Sequence, residues 1–217
     1  MNKLIEEILK GTFDRLRKLY DSKDEQKYVS AQTSSRLVFP TYREKGIRVS
    51  EQELRFMFID EFNRYCNENN INDVFYSVET PTKDKYTFSH KGEEISPKVG
   101  NGKSGNFDLT LLDANKSRLC LIEFKAGNVS KQSFEEVLVK LANPVEDGKL
   151  RYIIHMVENT RSEECTRSIL EAVKWLHEES GLKKLVNLGY VFESLTDKTK
   201  SECVSVKEIY DKYCYNC

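Results

Sequence analysis

The sequence predicts an α/β domain, a mixed central sheet flanked by helices, with a helical extension at its N-terminus. Three observations carry that expectation. Apolar residues recur at helical spacing in four separate segments. Short alternating or continuous apolar runs stand between the later segments. The resulting order is helix, strand, strand, strand, helix, strand, helix, strand, after a first helix, and it packs naturally as helices laid on a sheet.

Taken in order, residues 3–20 place Leu4, Ile5, Ile8, Leu9, Phe13, Leu16 and Tyr20 on one helical face, with Gly11 as a weak point. Residues 21–49 are polar and mixed, and Phe39-Pro40 signals a turn. A second helix is expected from Ser50, an N-cap residue with Glu53 three positions on, as a capping box requires. Leu54, Phe58, Phe62, Tyr65 and Cys66 fall on its apolar face. The run 73–80 alternates like a strand and should end at Pro81. A polar stretch with Gly92, Gly100, Gly102 and Gly105 follows. Runs 106–113 and 117–127 read as two strands, and the three residues Ala114 to Lys116 between them make a β-hairpin. Residues 131–143 read as a helix, 151–157 as a short apolar strand, and 161–182 as a long helix stopped at Gly181. A last strand spans 186–195, and a short helix is expected near Val206 to Tyr213.

Composition sets the outer bounds. A chain of 217 residues accommodates one domain with a sizeable core, and two would be cramped. The division expected is an extension over 1–49 packed on a domain over 50–217. At 39% hydrophobic and 32% charged residues the chain reads as globular and not disordered. The net charge of −1 means that nucleic acid would have to be met by a local basic face. No apolar run approaches the roughly 18 residues of a membrane span, and Glu6 and Glu7 break up the apolar start, against a secretory signal. The six cysteines are scattered, which fits a reduced, cytoplasmic compartment. Cys66 and Cys120 read as core. Cys214 and Cys217 have metal-ligand spacing with Cys203 upstream, but no fourth ligand stands nearby, so a cysteine-bearing helix end is a simpler account than zinc.

The chemistry sits on the hairpin. Side chains alternate along a strand, so Leu121, Glu123 and Lys125 share one face and Phe124 points to the other. That face begins apolar and ends in two charges. A short hairpin brings Asp108 near Glu123, and two adjacent carboxylates repel unless a cation lies between them. Mg²⁺ is often held by only one or two carboxylates plus substrate phosphate. Lys125 is then placed to assist an attacking water.

Asp108, fourteen intervening residues, then Glu123-Phe124-Lys125, set on a hairpin between two helices, resemble the PD-(D/E)XK nuclease superfamily. That superfamily includes restriction endonucleases, junction resolvases and phage-type exonucleases. The resemblance implies a restriction endonuclease-like core of helix, three strands, helix, strand (αβββαβ) from Ser50 to about Val157, with an additional helix and strand after it. It implies Asp108 and Glu123 as ligands of Mg²⁺, with Mn²⁺ as substitute, and Lys125 as catalytic. Phe107 stands where the superfamily's Pro often precedes the Asp. A glutamate from the preceding helix often joins the site, which here leaves Glu51 or Glu53. Glu51 is preferred as a catalytic and metal residue, because at about 100° per residue it lies near the centre of the apolar face, while Glu53 has its capping box. Glu51-Gln52-Glu53-Leu54 also resembles the helix start of archaeal junction resolvases.

Lys131 and Gln132 open the helix after the motif, where related nucleases sometimes place a polar residue, though a solvated first turn is the simpler account. Lys140, further along, reads as a surface residue. His90, His155 and His177 share no metal-ligand spacing and read as satisfied or exposed histidines. DNA as substrate calls for basic residues near the metal. Arg36, Arg43, Lys45, Arg48 and Arg55, with Tyr42 interleaved, form one such segment, and Lys83, Lys85, Lys91, Lys98 and Lys103 another. The function expected is hydrolysis of DNA phosphodiester bonds. The alternative is a catalytically inactive module of the same fold that binds nucleic acid or serves assembly in a defence or mobile-element system. Two-strand cleavage favours a homodimer, with the N-terminal helix as candidate interface, and a protein partner in a larger complex fits either reading.

Overall fold

A computed structural model of the chain describes residues 2–22, 35–41, 46–88, 96–158, 162–180, 188–200 and 202–213. Its helices are α1 (Asn2–Asp21), α2 (Glu51–Glu68), α3 (Lys131–Ala142), α4 (Ser162–Glu178) and α5 (Val206–Tyr213). Its strands are β1 (Val74–Thr87), β2 (Lys98–Val99), β3 (Lys103–Asp113), β4 (Arg118–Ala126), β5 (Leu150–Val157), β6 (Leu188–Ser194) and β7 (Glu202–Ser205). They form one mixed sheet in the order β2-β1-β3-β4-β5-β6-β7. The pairs β4–β5 and β5–β6 are parallel, and the other neighbours are antiparallel.

Strand alternation divides the core between the two faces. Cys120, Ile122 and Phe124 of β4 pack with α1 and α2. Leu121 packs with α3, α4 and α5. Parallel pairing of β4 with β5, and of β5 with β6, needs a crossover each time, and α3 and α4 provide them. The β3–β4 hairpin is closed as expected. Asp113 Oδ1 accepts from the backbone N–H of Asn115 (2.9 Å) and Ser117 (2.8 Å), and Lys116 takes the left-handed conformation that closes the turn (φ 62°).

Two expectations about the strands are corrected. Strand β1 does not end at Pro81 but continues to Thr87, with a register irregularity after Pro81. A proline is tolerated there because β2 covers β1 only at Tyr86 and Thr87, so Pro81 lies where the outer edge has no described strand partner. Strands β2 and β7 were not expected, since their short polar sequences become strands only by pairing with a neighbour's edge. The α1 face of Ile5, Ile8, Phe13, Leu16 and Leu19 is buried in the same core as Leu54, Met57 and Phe58 of α2.

Gly11 is where α1 and α2 come together. A Cβ at Gly11 would fall on the Glu61 carboxylate. Glu61 is buried and pairs with Arg15 (3.1 Å) and Arg64. Gly11→Ala should therefore destabilise the protein by about 1–3 kcal/mol through overpacking, although alanine is the better helix former by about 1 kcal/mol. Urea unfolding of the variant checks this, and a gain in stability would refute the close approach.

Candidate active site at the end of β4

Glu123 and Lys125 end β4, at the carboxyl edge of the parallel part of the sheet. The β3–β4 ladder ends with the pair Leu109 and Ile122, one residue short of Asp108 and Glu123. The ladder stops there for a reason visible in the core. Phe107 belongs to the α3 side, whereas Leu109 and Leu111, of the same strand parity, belong to the α1–α2 side. Strand β3 therefore reorients at Asp108. Its paired strand β1 is irregular in the same region, with Glu79 in the left-handed conformation (φ 48°). Asp108 Oδ2 accepts the Phe124 backbone N–H at 2.7 Å, so its side chain serves an N–H that the shortened ladder leaves over.

Glu123 is only 3% exposed. Burial pushes its carboxyl up to about 7, the Lys140 ammonium pulls it down, and the Asp108 carboxylate adds to the rise. Lys140 ion-pairs with Glu123, and its Nζ also donates to the Asn106 carbonyl (2.7 Å) and stands over the Phe107 ring, 5.6 Å from its centroid. Lys140 is thus a buried partner of the site, not the surface residue expected. Glu136, one turn earlier on α3, is half-buried. Burial raises its carboxyl, and the ammoniums of Lys140 and Lys125 oppose that rise. Glu136 was not singled out from the sequence, and Lys140 reads there as a surface residue. The available signal was Gln132, Glu136 and Lys140 at intervals of four, one stripe of the helix after the motif.

Lys125 lies between the layers. Its Nζ is 3.4 Å from Glu51 Oε1, at the first turn of α2. Glu53 is occupied otherwise: Ser50 N–H donates to its Oε2 at 2.9 Å, completing the capping box, and Arg48 lies 3.8 Å away. The structure therefore brings Glu51, not Glu53, to the motif lysine. Behind Lys125, His155 of β5 is buried and satisfied. The Gly127 carbonyl can only accept, so His155 Nε2–H donates to it (2.7 Å), and Nδ1 accepts from the Tyr190 hydroxyl (2.8 Å). Burial pulls His155 down to about 4 and keeps it neutral. This contact holds the turn at Gly127 (φ 67°) where β4 ends.

The remaining candidates lie further out. Lys131 is exposed and pairs with Glu135 at 3.0 Å. With Gln132 it lines a cleft of about 400 Å³ shared with Ser96, Ser130, Glu135, Trp175 and Glu179. Lys85, Lys98 and Lys103 are exposed and gather where β1, β2 and β3 meet. Lys83 pairs with Asp147 (2.7 Å) and Arg55 with Glu79. Arg36 is exposed beside a cleft between α1 and α2. Cys66 and Cys120 are buried, as expected, and Cys203 is exposed. His177 stacks on Tyr210, with ring centroids 3.8 Å apart. His90, Tyr42, Arg43, Lys45, Lys91, Gly181, Cys214 and Cys217 lie outside the described residues.

Among the described residues, no three His, Cys, Asp or Glu side chains converge enough to hold a metal ion by themselves. The donor set is the pair Asp108 and Glu123, with Glu51 connected to it through Lys125. Two hard carboxylates, one of them buried and paired to Lys140, are of the donor type that holds Mg²⁺ or Mn²⁺ together with water and phosphate. No helix among the described residues is long and apolar enough to cross a membrane. No family model, curated protein or solved structure matches the chain.

The Glu123 environment has a consequence for stability without metal. A carboxyl raised from 4.5 to about 7 on folding stabilises the fold below 4.5, and that contribution is lost as pH rises through about 7. His155, lowered from 6.5 to about 4, acts with the opposite sign. It cancels when the wild type is compared with Glu123→Gln. In chelator, the wild type should lose stability relative to Glu123→Gln between pH 4.5 and about 7. Paired urea titrations check this, and a flat difference would contradict it.

Proposed function

We propose that the chain is a metal-dependent nuclease of the PD-(D/E)XK type that hydrolyses DNA phosphodiester bonds. The observation that carries the reading is the Asp108 side chain accepting the Phe124 N–H at 2.7 Å, at the strand end that carries Glu123 and Lys125, together with the 3.4 Å contact of Lys125 with Glu51. The succession α2, β1, β3, β4, α3, β5 supports a restriction endonuclease-like core.

In this reading Asp108 and Glu123 hold Mg²⁺ or Mn²⁺. When bound, the ion supplies Lewis acidity toward the phosphoryl oxygen and eases deprotonation of the attacking water. Lys125 would bring a positive charge to the negative charge that develops on the phosphoryl oxygens, and would orient the water by donating to it. Glu51 holds the Lys125 ammonium in place. The exposed lysines 85, 98 and 103 supply a sequence-independent grip on backbone phosphates. A homodimer acting on two strands and a cytoplasmic site of action belong to the same proposal.

One observation favours the alternative of an inactive binding or assembly module. Lys140 already neutralises Glu123, so charge balance needs no metal. Cleavage of a DNA panel (supercoiled plasmid, linear duplex, single strand, four-way junction) with Mg²⁺, Mn²⁺ or chelator separates the two. Metal-dependent cutting is expected, reduced about 10²-fold or more in Lys125→Ala and similarly in Asp108→Asn. The asparagine keeps an oxygen to accept the Phe124 N–H, so its loss of activity reports charge and not folding. No cutting of any substrate, with no metal binding by calorimetry, would establish the inactive module instead.

A further inference from the structure

The lysine at Glu123 has a place in the site that the hairpin motif does not assign. We propose that Lys140 is a built-in counter-ion of the cation site: its ammonium neutralises Glu123 in the metal-free chain, is displaced when a divalent cation binds at Asp108 and Glu123, and thereby lowers the site's metal affinity. This inference rests on the metal site proposed above.

The geometry leads to it directly. Glu123 is buried and its neighbour across the hairpin is a second carboxylate, so an ionised Glu123 needs a positive charge at contact distance. Lys140 supplies it from α3, ion-paired to Glu123 Oε1 and anchored by the Asn106 carbonyl at 2.7 Å. The side chain is only 10% exposed, so the ammonium is enclosed with its partner. A divalent ion on the same carboxylate would meet this charge at close range, and like charges so near each other repel strongly in a poorly solvated setting. The ammonium must then leave Glu123. Glu136, one turn back on the same helix face, already feels the Lys140 charge and is only half-buried, so it is the carboxylate within reach to receive it. Asn106 and Phe107, which hold Lys140 now, belong to the strand that carries Asp108. Displacement would therefore be felt at both carboxylates.

A lysine that merely stabilises the fold makes a different prediction. Its removal would leave Glu123 buried and uncompensated and would weaken or distort the site. A competing counter-ion, when removed, leaves the carboxylates more attractive to a cation. A unit charge at such distance shifts a neighbouring equilibrium by about 1–3 logarithmic units, so the change should be about tenfold or more.

The test measures Mn²⁺ binding by calorimetry to the full chain and to Lys140→Met, with Asp108→Asn as the control for the site. The expected result is binding that Asp108→Asn abolishes and that Lys140→Met tightens about tenfold or more. Equal or weaker binding in Lys140→Met would overturn the counter-ion while leaving the metal site standing. No binding to either protein would remove the metal site and the inference with it. Should Lys140→Met fail to fold, amine acetylation of the wild type, read by mass spectrometry, decides. Lys140 should be more reactive with Mn²⁺ than in chelator, and equal or lower reactivity would overturn the proposal.

Discussion

A carboxylate buried at the end of β4 is the constraint around which the rest of the structure is arranged. An ionised Glu123 without a partner would cost several kcal/mol in this apolar setting. The fold answers with Lys140, whose long stem runs past the Phe107 ring and delivers the ammonium to the carboxylate. That answer requires α3 to lie across this face of the sheet, and it requires β3 to reorient at Asp108 so that Asn106 can anchor the lysine. The parallel pairing of β4 and β5 imposes the crossover that α3 provides. Sheet topology and charge compensation are therefore met by one helix.

The opposite layer completes the site through the same strand end. Lys125 follows Glu123 by two residues, yet its ammonium reaches the first turn of α2. What places α2 is its seam with α1, closed at Gly11 and fastened by the buried Glu61 between Arg15 and Arg64. Helix α1 is fixed in turn to the far strands, since Arg17 donates to the Ser194 carbonyl (3.1 Å) and Tyr20 donates to Glu158 (2.9 Å). A residue as distant as Arg17 thus helps fix the position of Glu51. The N-terminal helix shares the core of the domain.

The charges at the site are balanced without being frozen. Burial pushes the Glu123 carboxyl up, and the Lys140 ammonium beside it pulls it back down. Asp108 is held by a backbone N–H, Glu123 by a lysine, and Lys125 by Glu51 at the looser distance of 3.4 Å. Such a set can exchange partners locally while the sheet and the two core layers stay intact. His155, neutral and hydrogen-bonded on both ring nitrogens, is the rigid element behind it.

Sequence periodicity by itself determined the helices and the hairpin with its three-residue turn. These depend on spacing along a few residues, which side-chain alternation and helical repeat make legible. It preferred Glu51 to Glu53 without deciding between them, and the helix face it assigned to Glu51 is not the buried one: Glu53 is buried, whereas the Glu51 side chain is 45% exposed. Tertiary structure alone decided that β1 runs through Pro81, that β2 and β7 are strands, and that β3 reorients at Asp108, since each depends on which edge another strand leaves open. It alone decided that Gly11 is a close approach and not a weak point. Lys140 shows the limit most clearly: on a helix wheel a lysine near the end of an amphipathic helix is a surface residue. Only a buried carboxylate seventeen positions earlier in the chain, brought beneath that helix by the crossover, makes it a buried ion-pair partner.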